Sequence, residues 1–149
     1  MQDISGFGFQ LRVIASKTFP QGFTVTAFGD DADPFDLPSL QINDAAMGLN
    51  GDMVTWTFHS LIANVVNVIP KTDDDKNLAV LFEANRAARG KKPARDVITL
   101  VAVYPDGSTV TLSKGVCYQS IPGNSIASAG RFKTKPYEFR FEQLARVEV

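Results

Sequence analysis

The densest group of potential metal ligands lies in one short segment of the chain. Its four aspartates are Asp30, Asp31, Asp33 and Asp36. Carboxylate oxygens are the ligands that Ca²⁺ prefers, so the spacing invites comparison with an EF-hand loop. That loop needs glycine at its sixth position and glutamate at its twelfth, but counting from Asp30 these positions hold Phe35 and Gln41. The segment is therefore predicted to be a solvated or partner-facing loop.

Two glycines near the start, Gly6 and Gly8, have the spacing that opens a dinucleotide-binding fingerprint. The third glycine is missing, and no helix follows at the distance that would receive a pyrophosphate. A strand that uses glycine for close backbone approach explains the pair better.

Nucleophilic or metal chemistry has few candidate residues. His59 is the only histidine, and a triad would have to bring it to a serine and a carboxylate without any nucleophile-elbow sequence. Cys117 is the only cysteine, which excludes an internal disulfide and a cysteine-rich zinc site. We predict no catalytic, cofactor-binding or metal-binding residues, and no cofactor.

Two charged runs have structural explanations. The carboxylates of residues 73–75 are adjacent and so point in different directions, whereas acid–base pairs must converge on one reacting group. They suit a helix start, where the dipole favours anions. Lys91, Lys92 and Arg95 form a basic loop that is predicted to be solvated.

Composition indicates one domain spanning residues 1–149. The formal net charge is −1, so the basic excess typical of proteins that grip DNA is lacking. The apolar stretch 61–69 is interrupted by Asn64 and Asn67 and is far shorter than the roughly 20 residues of a membrane helix. The first residues lack the basic and apolar regions of a signal peptide, so none is expected. Synthesis and assembly in the cytosol, with no membrane partner, are expected.

Alternating apolar residues predict about eight strands. The pattern is clear at residues 4–16, 23–28, 54–59, 97–104, 109–118 and 137–149, and residues 61–69 form a buried strand. Asn50-Gly51 predicts a tight hairpin turn, whereas residues 29–40 are predicted to leave the body of the fold. Trp56 and Phe58 are expected in the core.

One helix is predicted at about residues 74–88, capped by Thr72 or Asp73 and stopped by Gly90. Leu78, Leu81 and Phe82 share one face and are expected to pack against the sheet. The predicted fold is mainly β: a two-sheet β-sandwich or a partly closed β-barrel with this helix packed on it.

The middle and end of the chain resemble the tail tube family of contractile and long-tailed phages, which shares its fold with the tube protein of type VI secretion. Residues 47–58 read MGLNGDMVTWTF, a glycine-bearing hairpin turn followed by a strand. An apolar strand ending at Pro70 follows, then a polar helix start and residues 77–82. Residues 135–141 resemble the closing strand of the family. The likeness extends from about residue 40 onward.

The resemblance implies a structural subunit of the virion tail rather than an enzyme. It implies homohexameric rings stacked into a hollow tube, which holds the tape measure protein and conducts the genome during ejection. Other implied partners are a sheath protein, if the tail is contractile, and genomic DNA that passes without specific binding.

The exposed loops 29–40 and 43–52 are predicted to make the contacts between stacked rings. The predicted contact residues are Asp30, Asp31, Asp33, Asp36, Asn43, Asp44, Asn50 and Asp52.

Two alternatives remain open. One is another tail or baseplate ring component, such as a terminator, built on a related barrel. The other is a β-sandwich module that binds carbohydrate or a receptor. Such modules line a groove with exposed aromatic residues, whereas the alternating register of Trp56 and most phenylalanines points them toward a core. Exposed aromatic residues would favour the module.

Overall fold

The computed structural model describes residues 4–29 and 33–148, which contain nine strands and one helix. The elements are β1 (Gln10–Ala15), β2 (Phe19–Val25), β3 (Phe35–Asp36), β4 (Asn43–Met47), β5 (Met53–Thr57), β6 (Ile62–Val68), α1 (Asp73–Ala84), β7 (Ile98–Val103), β8 (Thr109–Ser120) and β9 (Lys135–Val147). Within these residues no helix has the length and apolar character needed to cross a bilayer.

Seven strands form one antiparallel sheet in the order β2-β1-β7-β8-β9-β6-β3, and β4 and β5 form a second sheet of two strands. The prediction of a mainly β fold with two sheets and one packed helix is confirmed. The large sheet curls but is not closed into a barrel. Past β2, the chain makes an isolated bridge from Phe28 to Val68 of β6, and the Gly29 N–H donates to the Asn67 carbonyl at 3.0 Å.

The core follows from the alternation of apolar residues along the strands. Leu11 and Val13 of β1 are fully buried, while Arg12 between them is exposed. On β9, Tyr137, Phe139 and Phe141 point inward in the same way.

The helix packs on the side of the large sheet that carries these inward-facing residues. Leu78 and Leu81 are fully buried, and the ring of Phe82 lies 5.1 Å from those of Tyr137 and Phe139.

The helix ends at Ala84, one turn before residue 88. The side chain of Asn85 explains the difference, because its Nδ2 donates to the Leu81 carbonyl at 2.9 Å and its Oδ1 accepts the Asp96 N–H at 2.8 Å. An asparagine that binds backbone groups on both sides in this way ends a helix. At the other end, the Thr72 hydroxyl caps the helix by accepting the Asp75 N–H at 3.3 Å.

Three further local predictions are wrong. The first strand begins at Gln10 rather than residue 4, and Phe7 lies in an exposed turn. The segment 29–40 does not leave the body of the fold entirely, because β3 pairs with β6 at the sheet edge. Trp56 is exposed on β5 rather than buried in the core, and Phe58 is only half-buried. Alternation identifies which side of a strand is apolar. That side is buried only where a second layer of the protein covers it.

Candidate assembly surface

The β4–β5 hairpin, residues 42–58, projects from the body of the fold. Its strands pair from Asn43 opposite Thr57 to Met47 opposite Met53. The turn is closed by the Gly48 N–H, which donates to the Asp52 carbonyl at 2.7 Å, and Gly51 adopts a φ of 90°. Every residue of both strands is exposed.

The two sides of the hairpin differ in polarity. Asp44 lies opposite Trp56, and Ala46 lies opposite Val54, so these four side chains share one side. Ile42 lies on the same side by alternation, and Ile42, Val54 and Trp56 are 61%, 59% and 47% exposed. We call this the apolar side of the hairpin.

The opposite side carries threonine and asparagine. The Thr57 hydroxyl donates to Asn43 Oδ1 at 2.7 Å, and Thr55 follows on the same strand. Met47 and Met53 lie at the far end of this side, near the turn. A two-stranded hairpin of this kind is marginally stable in water unless a further layer covers its apolar side. The described residues provide no such layer.

An open cavity of about 1150 Å³ lies at one end of the large sheet. The ring of Phe9 lines it, with its centroid 5.3 Å from that of Phe28, 5.2 Å from Phe35 and 5.3 Å from Tyr104. We call this the end cavity. It is open because the ladder between β6 and β9 stops at Ile62 opposite Phe141, so the last part of β9 pairs with β8 alone.

The rim of the end cavity is polar. Arg146 lines it from the last part of β9, and its Nε lies 3.1 Å from Glu148 Oε1. Burial raises the pKa of the Tyr104 hydroxyl, and the positive charge of Arg146 offsets part of that shift. Among the described residues that line the cavity, Arg146 is the only basic one.

A buried ionic cluster fixes α1 to β9. The hydroxyl of Tyr137 donates to Asp75 Oδ1 at 2.6 Å, and Lys135 Nζ lies 3.1 Å from the same oxygen. The Lys71 N–H donates to Asp75 Oδ2 at 3.0 Å. Burial and the neighbouring Asp75 raise the pKa of Tyr137. Because these polar groups have hydrogen-bond or ion-pair partners within the cluster, we assign the cluster a structural role.

Among the described residues, the potential metal ligands are not brought together. Across residues 4–29 and 33–148, no three His, Cys, Asp or Glu side chains are placed to hold a metal ion. Burial raises the pKa of the Cys117 thiol to about 12, so the thiol stays protonated at neutral pH.

The predicted ring-contact residues fall into two groups. Asn43, Asp44, Asn50 and Asp52 all lie on the hairpin. Asp33 and Asp36 lie beside β6, where their carbonyls accept hydrogen bonds from Asn67 Nδ2 at 2.6 Å and Asn64 Nδ2 at 3.1 Å. Asp30 and Asp31 lie outside the described residues.

The prediction missed the apolar side of the hairpin. Its signal in the sequence was an Asn-Gly turn flanked by apolar residues on both strands.

Solved structures that share this fold include the following three. A chain of the anti-feeding prophage baseplate matches with a TM-score of 0.61 and 11% identity over 100% of this chain and 98% of that chain. A chain of the cap that terminates the anti-feeding prophage tube matches with a TM-score of 0.54 and 11% identity, over 100% of this chain and 93% of that chain. A chain of the sheath/tube terminator of an extracellular contractile injection system, PVC, matches with a TM-score of 0.55 and 10% identity, over 99% of each chain.

The class of the protein follows from these comparisons together with a family match: it is a structural component of a phage tail or a related tail-like particle. The family model of the tail fiber protein gp32 matches residues 2–145, and the chain belongs to that family. No curated protein matches the sequence. These findings support the prediction that the protein is a tail component, but they do not indicate a tube subunit in particular.

Proposed function

We propose that the chain is a ring-forming component at an end of the tail, of the terminator or baseplate type, and that it has no catalytic role. The solved structures with this fold come from a baseplate, a tube cap and a terminator, and each is matched over nearly its whole length. This favours the terminator or baseplate alternative over the tube subunit. The location would be the virion tail.

The observation that carries the proposal is the exposed hairpin. Contiguous exposed apolar patches mark sites of association, because leaving them in water is unfavourable. Trp56, Val54 and Ile42 form such a patch on a segment that few contacts stabilise. The proposed partners are further copies of the chain and neighbouring tail proteins. Tape measure protein, sheath protein and passing DNA are the further partners that a tube would require.

Native mass spectrometry and negative-stain microscopy of the purified protein test the proposal. We expect closed rings of one fixed mass that do not grow with concentration. Long hollow rods would identify a tube subunit instead, and a monomer at every concentration would refute ring formation.

A pair of variants tests the role of the hairpin. Trp56→Ala should abolish rings, since it removes the largest apolar side chain of the patch. Tyr118→Ala is the matched control, because Tyr118 is an equally exposed aromatic residue on β8, stacked 4.1 Å from the guanidinium of Arg140. Rings that survive Trp56→Ala, or that are lost equally in both variants, would contradict this role.

The end cavity favours a second candidate function, the binding of a host-surface glycan. Open cavities lined by aromatic rings with a few polar groups at the rim are typical of ligand sites. Binding to a glycan array, lost in Tyr104→Ala, would support this function. A protein that forms rings and binds no glycan would exclude it.

A further inference from the structure

We propose that the apolar side of the hairpin of one copy covers the end cavity of a second copy, with Asp44 of the first facing Arg146 of the second. The inference rests on the proposed ring-forming function and identifies the two surfaces that meet.

The first reason is that one chain carries both a projecting apolar surface and an open apolar cavity. Trp56 and Val54 are exposed on the hairpin, and the rings of Phe9 and Phe35 are only partly buried in the cavity. Covering one with the other removes apolar area from water on both sides, which stabilises the contact. The contact provides a layer over the hairpin that the described residues of one chain do not provide.

The second reason is charge. On the apolar side of the two described hairpin strands, Asp44 is the only charged side chain. Arg146 is the only basic residue among those that line the described cavity. An acid that enters an apolar contact needs a partner, and this arginine is the one available at the rim.

Arg146 can accept this partner without releasing its present one. Its Nε faces Glu148, whereas a guanidinium has five N–H donors in a planar fork. The pair with Glu148 is exposed, so it contributes little and can rearrange. The remaining acid on the rim, Asp106, is engaged locally, because its Oδ1 accepts the Ser108 N–H at 2.9 Å.

The third reason is symmetry. The hairpin and the end cavity are different surfaces, so their contact is head-to-tail. In a pair, the first copy keeps a free cavity and the second keeps a free hairpin. Such a contact generates a ring when the rotation between copies closes. A contact between two hairpins would stop at a dimer.

Charge reversal tests the contact. Asp44→Arg and Arg146→Asp should each raise the concentration needed for assembly by about tenfold or more, because like charges then face each other. Their 1:1 mixture should assemble like the wild type, since each contact then pairs an arginine with an aspartate. Analytical ultracentrifugation measures both effects. The matched control mixes Asp44→Arg with Arg89→Asp, in which the second reversal lies on an exposed turn after α1.

Trp56 gives a second readout, because it is the only tryptophan of the chain. Its emission should shift to shorter wavelength on assembly of the wild type and of the rescuing mixture. A mixture that stays dissociated, single variants that assemble normally, or rescue by the Arg89→Asp control would each overturn the inference. In those cases wild-type rings would leave the proposed function intact, whereas a wild type that never assembles would refute both.

Discussion

The carboxylate of Asp96 binds the backbone and the hydroxyl of Thr18, 78 residues earlier in the chain. The Thr18 N–H donates to Asp96 Oδ1 at 2.9 Å, and the Lys17 N–H donates to the same oxygen at 2.7 Å. Asn85 Nδ2, at the end of α1, donates to Oδ2 at 2.9 Å. One buried side chain therefore joins the β1–β2 turn, the helix end and the segment that leads into β7.

The hydrogen bonds to the Asp96 carboxylate predict that the stability of the fold decreases in acid. Burial raises the pKa of Asp96, but hydrogen bonds from Thr18, Asn85 and Lys17 outweigh it and leave the pKa below its ordinary value of 3.8. Its stabilising contribution is therefore complete above pH 3.8 and is lost as the pH falls toward the folded pKa. Asp96→Asn should lower the free energy of unfolding by about 1–3 kcal/mol at pH 7.

Urea denaturation at pH 7 and pH 3 measures the effect, and the gap between wild type and Asp96→Asn should narrow at the lower pH. Asp52→Asn in the hairpin turn is the control, with an expected change within about 0.5 kcal/mol. A gap that is equal at both pH values would contradict the prediction.

The buried cluster around Asp75 predicts that substitutions of its members destabilise the protein by different amounts. Lys135→Met leaves a buried carboxylate without its cation and should destabilise the protein by about 3–5 kcal/mol. Tyr137→Phe removes one donor and should destabilise by about 1–3 kcal/mol. Thermal or urea denaturation measures both.

The double variant Asp75→Leu/Lys135→Met removes both charges and should be more stable than Lys135→Met alone. Equal stability of the two would mean that the carboxylate finds another partner.

Gly115 predicts a steric effect in β8. A Cβ at this position would overlap the ring of Phe141 and lie 3.0 Å from the Arg140 carbonyl oxygen. Gly115→Ala should therefore destabilise the fold by about 1–3 kcal/mol. Gly123→Ala is the matched control, because a Cβ there meets nothing within 4 Å. Differential scanning calorimetry compares them, and equal melting temperatures would exclude this close packing.

Trp56 predicts a separation between folding and assembly. At concentrations where the protein is a monomer, Trp56→Ala should change the free energy of unfolding by less than about 1 kcal/mol, because an exposed side chain loses few contacts. Leu81→Ala, in the core, should destabilise by about 2–5 kcal/mol. If both substitutions lowered the free energy of unfolding by similar amounts, Trp56 would have to be buried in the core.

The sequence predicts the parts of this fold that local patterns determine. Leu11 and Val13 alternate with polar neighbours, Asn50-Gly51 closes a hairpin, and Leu78 and Leu81 share a helix face. Each of these features depends on residues a few positions apart.

Features that depend on distant residues were not predicted. The end cavity combines residues from β1, β3, the β7–β8 turn and the last part of β9, and the junction at Asp96 spans 78 residues. Trp56 illustrates the same limit. Its strand has the alternating pattern of a core strand, and it is exposed only because no layer of the described residues covers it.

Ile4 and Glu148 both line the end cavity, so the two termini of the described chain open onto the same mouth. An affinity tag or fluorescent protein attached next to Ile4 or Glu148 would lie near this opening and obstruct access to it. Labels for imaging are better inserted near Gly123, in the surface loop between β8 and β9, where they would hang clear of that entrance.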